Sequence, residues 1–99
     1  MEGVIGMYER KEIYSIIRNI LRTLFGDDYT ECDFDSIGEN DRIDDLFEVN
    51  SIMAIQIIVC FENEMEFELE DEDLTQETVT SLKNLAECYY QRKGNKELT

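Results

Sequence analysis

The sequence predicts a small all-α domain with three main helices and one short helix. Apolar residues recur with helical spacing in three segments, near residues 9–25, 50–65 and 80–91. Strict alternation of apolar and polar residues, which is typical of a strand, occurs in one short stretch that has no second strand to pair with. The chain has 99 residues, 42% of them hydrophobic, which suits one domain with one modest core.

The first helix is predicted from about Glu9 to Phe25. Its apolar residues are spaced i, i+3, i+4, i+7, i+8 and i+11 and so share one face: Ile13, Ile16, Ile17, Ile20, Leu21 and Leu24. Gly26 is expected to end the helix, since glycine is common just beyond a helix C-terminus. Residues 1–8 are expected to form a flexible lead-in.

Residues 26–48 form a connection that is too long to be structureless inside a compact domain. Its apolar side chains are expected to pin it to the core, with a short helical turn: Phe34, Ile37, Ile43, Leu46 and Phe47. The chain stays polar and acidic up to Glu48, and apolar residues dominate after Asn50.

The central helix is predicted to begin at Asn50-Ser51 and to end near Met65. Asn and Ser are favoured helix caps because their side-chain oxygens accept from N–H groups of the first turn. The helix carries two apolar stripes, one of Ile57, Ile58, Phe61 and Met65 and the other of Ile52, Ile55 and Val59. A surface helix needs one apolar stripe, so this helix is either buried on nearly all sides or uses the second stripe for docking.

The alternating stretch from Glu64 to Glu70 is expected to be an extended linker, anchored by Phe67 and Leu69. Residues 71–74 are expected to form one short helical turn. Their acidic side chains suit this turn, because negative charge at a helix start interacts favourably with the helix dipole.

The last helix is predicted from about Thr80 to Gln91, with Thr80 as its cap. Its apolar face consists of Val79, Leu82, Leu85, Ala86 and Tyr89. Gly94 is expected to end it, so residues 9–91 form the domain and residues 92–99 a flexible tail.

The chain is strongly acidic, with 24 acidic and 9 basic residues and a formal net charge of −15. Nucleic-acid phosphates would be repelled by such a surface, so nucleic acid is not an expected partner. Basic proteins are expected partners, because their charge would steer them toward this surface.

No run of 18 apolar residues is present, so no membrane span is predicted, and residues 1–6 lack the pattern of a signal peptide. Three cysteines, Cys32, Cys60 and Cys88, are scattered along the chain, and there is no histidine, which disfavours a zinc site. This cysteine usage fits a reducing cytosol, so a cytoplasmic location is expected.

Four short blocks stand out in the second half of the chain: Asn50-Ser51-Ile52, Glu62–Phe67, Asp71–Leu74 and Val79–Leu82. In this order and spacing they resemble the acyl and peptidyl carrier protein family, whose members bear a 4′-phosphopantetheine arm. The resemblance covers roughly residues 13–90 and implies a four-helix bundle of acyl-carrier type. The three-residue motif alone is a weak signal, and the spacing of all four blocks is a much stronger one.

The resemblance implies that Ser51 receives phosphopantetheine from coenzyme A through a phosphopantetheinyl transferase. The thiol of the arm would hold an acyl or aminoacyl group as a thioester, while the protein itself does no catalysis. The other partners would be a loading enzyme and a downstream synthase with basic docking patches, in fatty-acid-like, polyketide or nonribosomal peptide biosynthesis. The partner-facing residues of this stand-alone, monomeric carrier would be Ile52, Ile55, Val59 and Glu62.

The residue before the serine departs from the family, which usually has Asp where this chain has Asn50. Asn caps a helix as well as Asp does but lacks the charge. Asp35-Ser36-Ile37 matches the motif more literally, yet residues 38–41 that follow it contain no apolar run to form a helix. The context therefore selects Ser51 as the attachment site.

Two other interpretations stay open. Asp33, Asp35 and Asp44 have the spacing of calcium ligands in an EF-hand loop, although Ile37 cannot supply the oxygen expected at its position. The second is an unmodified acidic helical bundle that acts only as a protein-binding module. An independent enzyme is disfavoured, because without histidine general acid–base work would rest on carboxylates.

Overall fold

The computed structural model describes residues 8–98, except for the side chains of Asp71 and of residues 93–98. Four α-helices follow one another in this part of the chain: α1 (Arg10–Phe25), α2 (Ile43–Leu46), α3 (Ser51–Met65) and α4 (Leu82–Leu98). Two 3-10 turns, Phe34–Ser36 and Asp71–Asp73, lie between them, and residues 8–98 contain no strand. The predicted all-α class, a small helical bundle of acyl-carrier type, is confirmed.

Helix α1 packs against both α3 and α4. It begins after Glu9, whose backbone N–H donates to the Glu12 carboxylate over 3.0 Å. Its predicted apolar face is confirmed, since Ile13, Ile17, Ile20 and Leu21 are buried. Ile16 and Leu24 are half-buried at the edges of this face.

A stack of three phenylalanine rings holds the connection between α1 and α3. The Phe47 ring lies 4.6 Å from that of Phe25 and 5.5 Å from that of Phe34, measured between centroids, with 9° between the planes of each pair. Tyr29 meets Phe25 and Phe47 edge-on. The connection is therefore fastened to the C-terminal end of α1.

Four of the five predicted anchors of the connection are buried, namely Phe34, Ile37, Ile43 and Phe47. The prediction for Leu46 is wrong, because its side chain is 39% exposed. Ile43 and Phe47 are one helical turn apart, so their side chains share the face of the short helix α2 that packs on the core. The Leu46 side chain lies beside this face.

Helix α3 ends at Met65, as predicted, and Glu66 then turns the chain with left-handed backbone angles, φ 58° and ψ 51°. The N–H groups of Glu66 and Phe67 both donate to the carbonyl oxygen of Glu62. These two hydrogen bonds satisfy an acceptor that the end of a helix would otherwise leave unpaired.

The linker after α3 has no regular structure between Phe67 and Glu70. The predicted extended stretch from Glu64 to Glu70 is wrong at its start, because Glu64 and Met65 belong to α3 and Glu66 has left-handed backbone angles. Its two predicted anchors are confirmed, since Phe67 is buried and Leu69 is half-buried. The Phe67 ring packs edge-on against Phe61 and Tyr89, at centroid distances of 5.5 and 5.0 Å.

The short turn predicted at residues 71–74 forms at Asp71–Asp73 and is docked onto α4 by Arg92. Arg92 Nε donates to Asp73 Oδ2 over 2.7 Å, and its Nη2 donates to Glu72 over 3.2 Å. The hydrogen bond from Arg92 holds the pKa of the Asp73 carboxyl below its usual range, because it favours the charged form.

Helix α4 begins at Leu82, and its cap is Ser81, whose Oγ accepts from the N–H of Asn84 over 3.1 Å. The prediction of Thr80 as the cap is wrong, because the Thr80 hydroxyl donates to the carbonyl oxygen of Glu77 instead. The predicted apolar face is buried throughout: Val79, Leu82, Leu85, Ala86 and Tyr89.

The backbone of α4 continues to Leu98, beyond the predicted end at Gln91. It passes through Gly94, which was expected to end the helix. A glycine inside a helix costs roughly 1 kcal/mol relative to alanine, which is not enough to stop a helix whose preceding turns are packed. The flexibility expected of residues 92–99 stays a prediction.

Tyr8 is the one residue of the predicted lead-in that the structure describes, and residues 1–7 lie outside the described residues. Its N–H donates to the Tyr89 hydroxyl over 3.3 Å, and its carbonyl accepts from the Tyr90 hydroxyl over 2.5 Å. Among residues 8–98, no helix is both long enough and apolar enough to cross a membrane.

Glu66→Gly is expected to raise the free energy of unfolding by about 1 kcal/mol, because glycine adopts left-handed angles without the steric cost of a side chain. Glu64→Gly is the matched control. Glu64 lies inside α3, so there the same replacement is expected to lower the free energy of unfolding by about 1 kcal/mol. Urea unfolding measures both, and equal destabilisation by the two substitutions would contradict the left-handed turn.

Candidate functional site

Ser51 is the first residue of α3, and its side chain is exposed. Asn50 precedes it in an extended conformation, and Asn50 Oδ1 accepts from the N–H of Met53 over 2.8 Å. The Asn50 carbonyl accepts from the N–H of Ala54 over 2.9 Å. The helix therefore starts where the sequence predicted, with Asn50 as its cap.

The first turn of α3 presents unpaired donors. Within residues 8–98, the N–H groups of Ser51 and Ile52 have no hydrogen-bond partner, and neither has the Ser51 hydroxyl. The first turn carries no acidic residue. The helix dipole adds partial positive charge at this end, so the site suits a negatively charged group.

Each of the three residues ahead of Asn50 contacts a different part of the chain. The Phe47 ring is in the phenylalanine stack, the N–H of Glu48 donates to the Tyr29 hydroxyl over 3.0 Å, and the Val49 carbonyl accepts from Gln76 Nε2 over 2.8 Å. Sequence reasoning singled out Phe47 but missed Tyr29 and Gln76. No local pattern reveals them, because each acts on a segment far away in the sequence.

The two apolar stripes of α3 face opposite environments. Ile57, Ile58, Phe61 and Met65 are buried, together with Ala54. Ile52, Ile55 and Val59 are 68%, 43% and 44% exposed. The second stripe is thus free for an intermolecular contact, and its partner-facing role stays a prediction.

Glu62, the fourth predicted partner-facing residue, is half-buried. Its Oε2 accepts from the N–H of Leu69 over 2.7 Å, so this carboxylate helps to shape the linker after α3. A contact between Glu62 and a partner stays a prediction.

Ser36 lies in a different setting from Ser51. It ends the 3-10 turn Phe34–Ser36, and its hydroxyl donates to the carbonyl oxygen of Asp33 over 2.9 Å. The next helix, α2, begins only at Ile43. Ser36 is therefore not at the start of an α-helix, whereas Ser51 is the first residue of α3.

The proposed calcium ligands do not converge. Asp35 pairs with Arg22 over 2.6 Å, and Asp44 pairs with Arg42 over 2.8 Å. Ile37 is buried. Among the side chains that the structure describes, no group of three Cys, Asp or Glu residues is placed to hold a metal ion.

A family model described as a phosphopantetheine attachment site matches residues 15–88, which includes α2, α3 and most of α1. The chain belongs to this family. The cofactor of the family is 4′-phosphopantetheine, and its carrier domains are generally non-catalytic and work with transferases and synthases. Comparisons with curated proteins and with solved structures give no match.

The site in this carrier protein fits the cofactor. The phosphate of the cofactor needs a hydroxyl for attachment and donors for its oxygens. The first turn of α3 offers the Ser51 hydroxyl and two N–H groups that have no partner in the described part of the chain. No carboxylate in the first turn opposes the negative charge. Asn50 keeps the cap while leaving this turn uncharged.

Asn50→Ala is expected to lower the free energy of unfolding by about 1 kcal/mol, because it removes the acceptor of the Met53 N–H. Asn50→Asp is expected to keep the wild-type stability, since Asp caps equally well. Asn40→Ala, at an exposed turn residue, is the control and should change nothing. Urea unfolding compares all three, and equal stability of Asn50→Ala and Asn40→Ala would contradict the cap.

Proposed function

We propose that this carrier protein bears its 4′-phosphopantetheine arm on Ser51. The supporting observation is the hydroxyl itself, which is exposed, has no hydrogen bond within residues 8–98, and belongs to the first residue of α3. The competing Ser36 hydroxyl is engaged within its own turn. Ser51 is therefore the serine whose surroundings favour attachment.

Attachment is a phosphoryl transfer from coenzyme A. Ser51 Oγ gives its proton to the transferase and forms a bond to the phosphorus that carries the pantetheine, while the bond from that phosphorus to 3′,5′-adenosine bisphosphate breaks. The N–H groups of Ser51 and Ile52 are the donors available to the phosphate oxygens. When bound, the arm supplies a thiol that holds an acyl or aminoacyl group as a thioester.

The protein acts as a stand-alone, monomeric carrier in this proposal, and partner enzymes do the chemistry on its cargo. The partners are the transferase, a loading enzyme and a downstream synthase of fatty-acid-like, polyketide or nonribosomal peptide biosynthesis. The net charge of −15 supports partners with basic patches. Cys32, Cys60 and Cys88 are unpaired in the structure, which supports action in a reducing cytosol.

Incubation with coenzyme A and a broad-specificity phosphopantetheinyl transferase is expected to add one arm to the wild-type protein, measured by intact-protein mass spectrometry. Ser51→Ala should abolish the addition, because it removes the accepting oxygen. Ser36→Ala is the matched control and should be modified fully. Both serines are exposed, so neither substitution should disturb the fold, which circular dichroism checks.

Addition of the arm to the Ser51→Ala variant would contradict Ser51 as the attachment site and would show that another residue accepts the arm. If several transferases left the wild-type protein unmodified, the alternative would be favoured, namely an unmodified acidic helical bundle that only binds a protein partner.

A further inference from the structure

Gln76 contacts the chain just ahead of the α3 cap, although it lies 27 residues away from it in the sequence. Its side-chain Nε2 donates to the Val49 carbonyl oxygen over 2.8 Å. Val49 directly precedes Asn50, the cap, and Ser51 follows Asn50. Within residues 8–98, this is the one hydrogen bond made by the peptide group that joins Val49 to Asn50.

The turn that carries Gln76 is fastened to the rest of the bundle on both sides. Before α4 begins, the buried Thr78 hydroxyl donates to the Asp73 carbonyl oxygen over 2.6 Å. From α4, Asn84 Nδ2 donates to the Glu77 carbonyl oxygen over 2.8 Å. The backbone of Gln76 is therefore fixed relative to α4, and its exposed side chain reaches from there to the start of α3.

The Gln76 hydrogen bond bears on the cap through the peptide plane. A peptide group is planar, so a bond to the Val49 carbonyl fixes the orientation of the whole group that leads into Asn50. Rotation of this plane would change the backbone angle φ of Asn50, which is −96° in the structure and places Asn50 Oδ1 on the Met53 N–H. Without the cap the first turn of α3 would fray, and Ser51 is the first residue of that turn.

We propose that Gln76 is a positioning residue for attachment of the arm. Through Val49 and the Asn50 cap, it keeps the first turn of α3 formed and so keeps the Ser51 hydroxyl in one place. The inference rests on the proposed attachment at Ser51. A hydroxyl that is already in place reacts faster than one that must first be ordered, because less entropy is lost on the way to the transition state.

This role concerns the rate of the reaction more than the stability of the fold. The hydrogen bond between Gln76 and Val49 is exposed, so water can replace the lost partner when it is removed. Ordering a glutamine side chain also costs conformational entropy, which offsets part of the gain. Loss of the bond should therefore slow the transfer of the arm while leaving the melting temperature close to that of the wild type.

The test follows transfer of the arm in single turnovers, with a phosphopantetheinyl transferase in excess over the carrier and coenzyme A at saturation. The dependence of the rate on transferase concentration gives the maximal rate constant and the transferase concentration at half of that rate. Product release does not contribute to a single turnover, so the maximal rate constant reports on the step in which the Ser51 hydroxyl reacts.

Gln76→Met removes the donor, keeps a side chain of similar length and adds no charge. It is expected to lower the maximal rate constant about fivefold, the size expected for loss of one hydrogen bond, without changing the half-saturating transferase concentration. Gln76→Lys offers an ammonium donor to the same carbonyl oxygen and should restore most of the rate constant. Gln91→Met, at an exposed glutamine of α4, is the matched control and should behave as the wild type.

Hydrogen exchange of the Met53 N–H, followed by NMR on the unmodified protein, gives a readout that needs no transferase. Gln76→Met should speed this exchange about fivefold, because a frayed cap leaves the N–H open to water. Gln91→Met should leave it unchanged. Wild-type exchange in Gln76→Met would overturn the route through the cap.

A wild-type maximal rate constant in Gln76→Met would overturn the positioning role. A loss of the same size in Gln76→Lys would also overturn it, since the donor would then not matter. So would a higher half-saturating transferase concentration at an unchanged rate constant, because Gln76 would then contact the enzyme. In these cases the wild-type protein still takes the arm and the proposed function stands, whereas a wild-type protein that accepts no arm would overturn both.

Discussion

Asn50 and the residues ahead of it fix where α3 begins, and the site depends on that start. The Asn50 cap holds the Met53 N–H, while the stacked Phe47 ring, the Tyr29 hydroxyl and the Gln76 amide hold the segment that leads into it. If α3 began one turn later, the unpaired donors would belong to residues three or four positions further on. The Ser51 hydroxyl would then lie beyond the reach of the helix dipole, which acts within the first turn.

The two stripes of α3 lie in different environments, one buried and one exposed. The buried stripe, with Ile57, Ile58 and Phe61 fully buried, ties the helix to the rest of the bundle. The exposed stripe contributes little to the stability of the isolated chain, because its side chains stay in contact with water. Full burial of a side chain such as Ile52 is worth about 1.5–3 kcal/mol. Ile52 is 68% exposed, so most of this free energy remains available to a partner.

Periodicity predicted α1, α3 and their apolar faces, because repeated burial of one helix face leaves a repeated pattern in the sequence. It also predicted the cap at Asn50, since a cap acts on the turn that directly follows it. Contacts between distant segments leave no such pattern. Nothing local connects Tyr29 to Glu48, and nothing local connects Gln76 to the residue before the cap. The passage of α4 through Gly94 was likewise unpredictable from local propensity, since a single glycine carries only a modest cost.

Peptide mapping of the modified wild-type protein tests the central claim most directly. Trypsin cleaves after lysine and arginine, so Ser36 falls in the peptide of residues 23–42 and Ser51 in the peptide of residues 43–83. The arm is predicted on residues 43–83, and fragmentation should assign it to Ser51 rather than to Ser81. An arm on residues 23–42, or on Ser81, would contradict the assignment of the site to the start of α3.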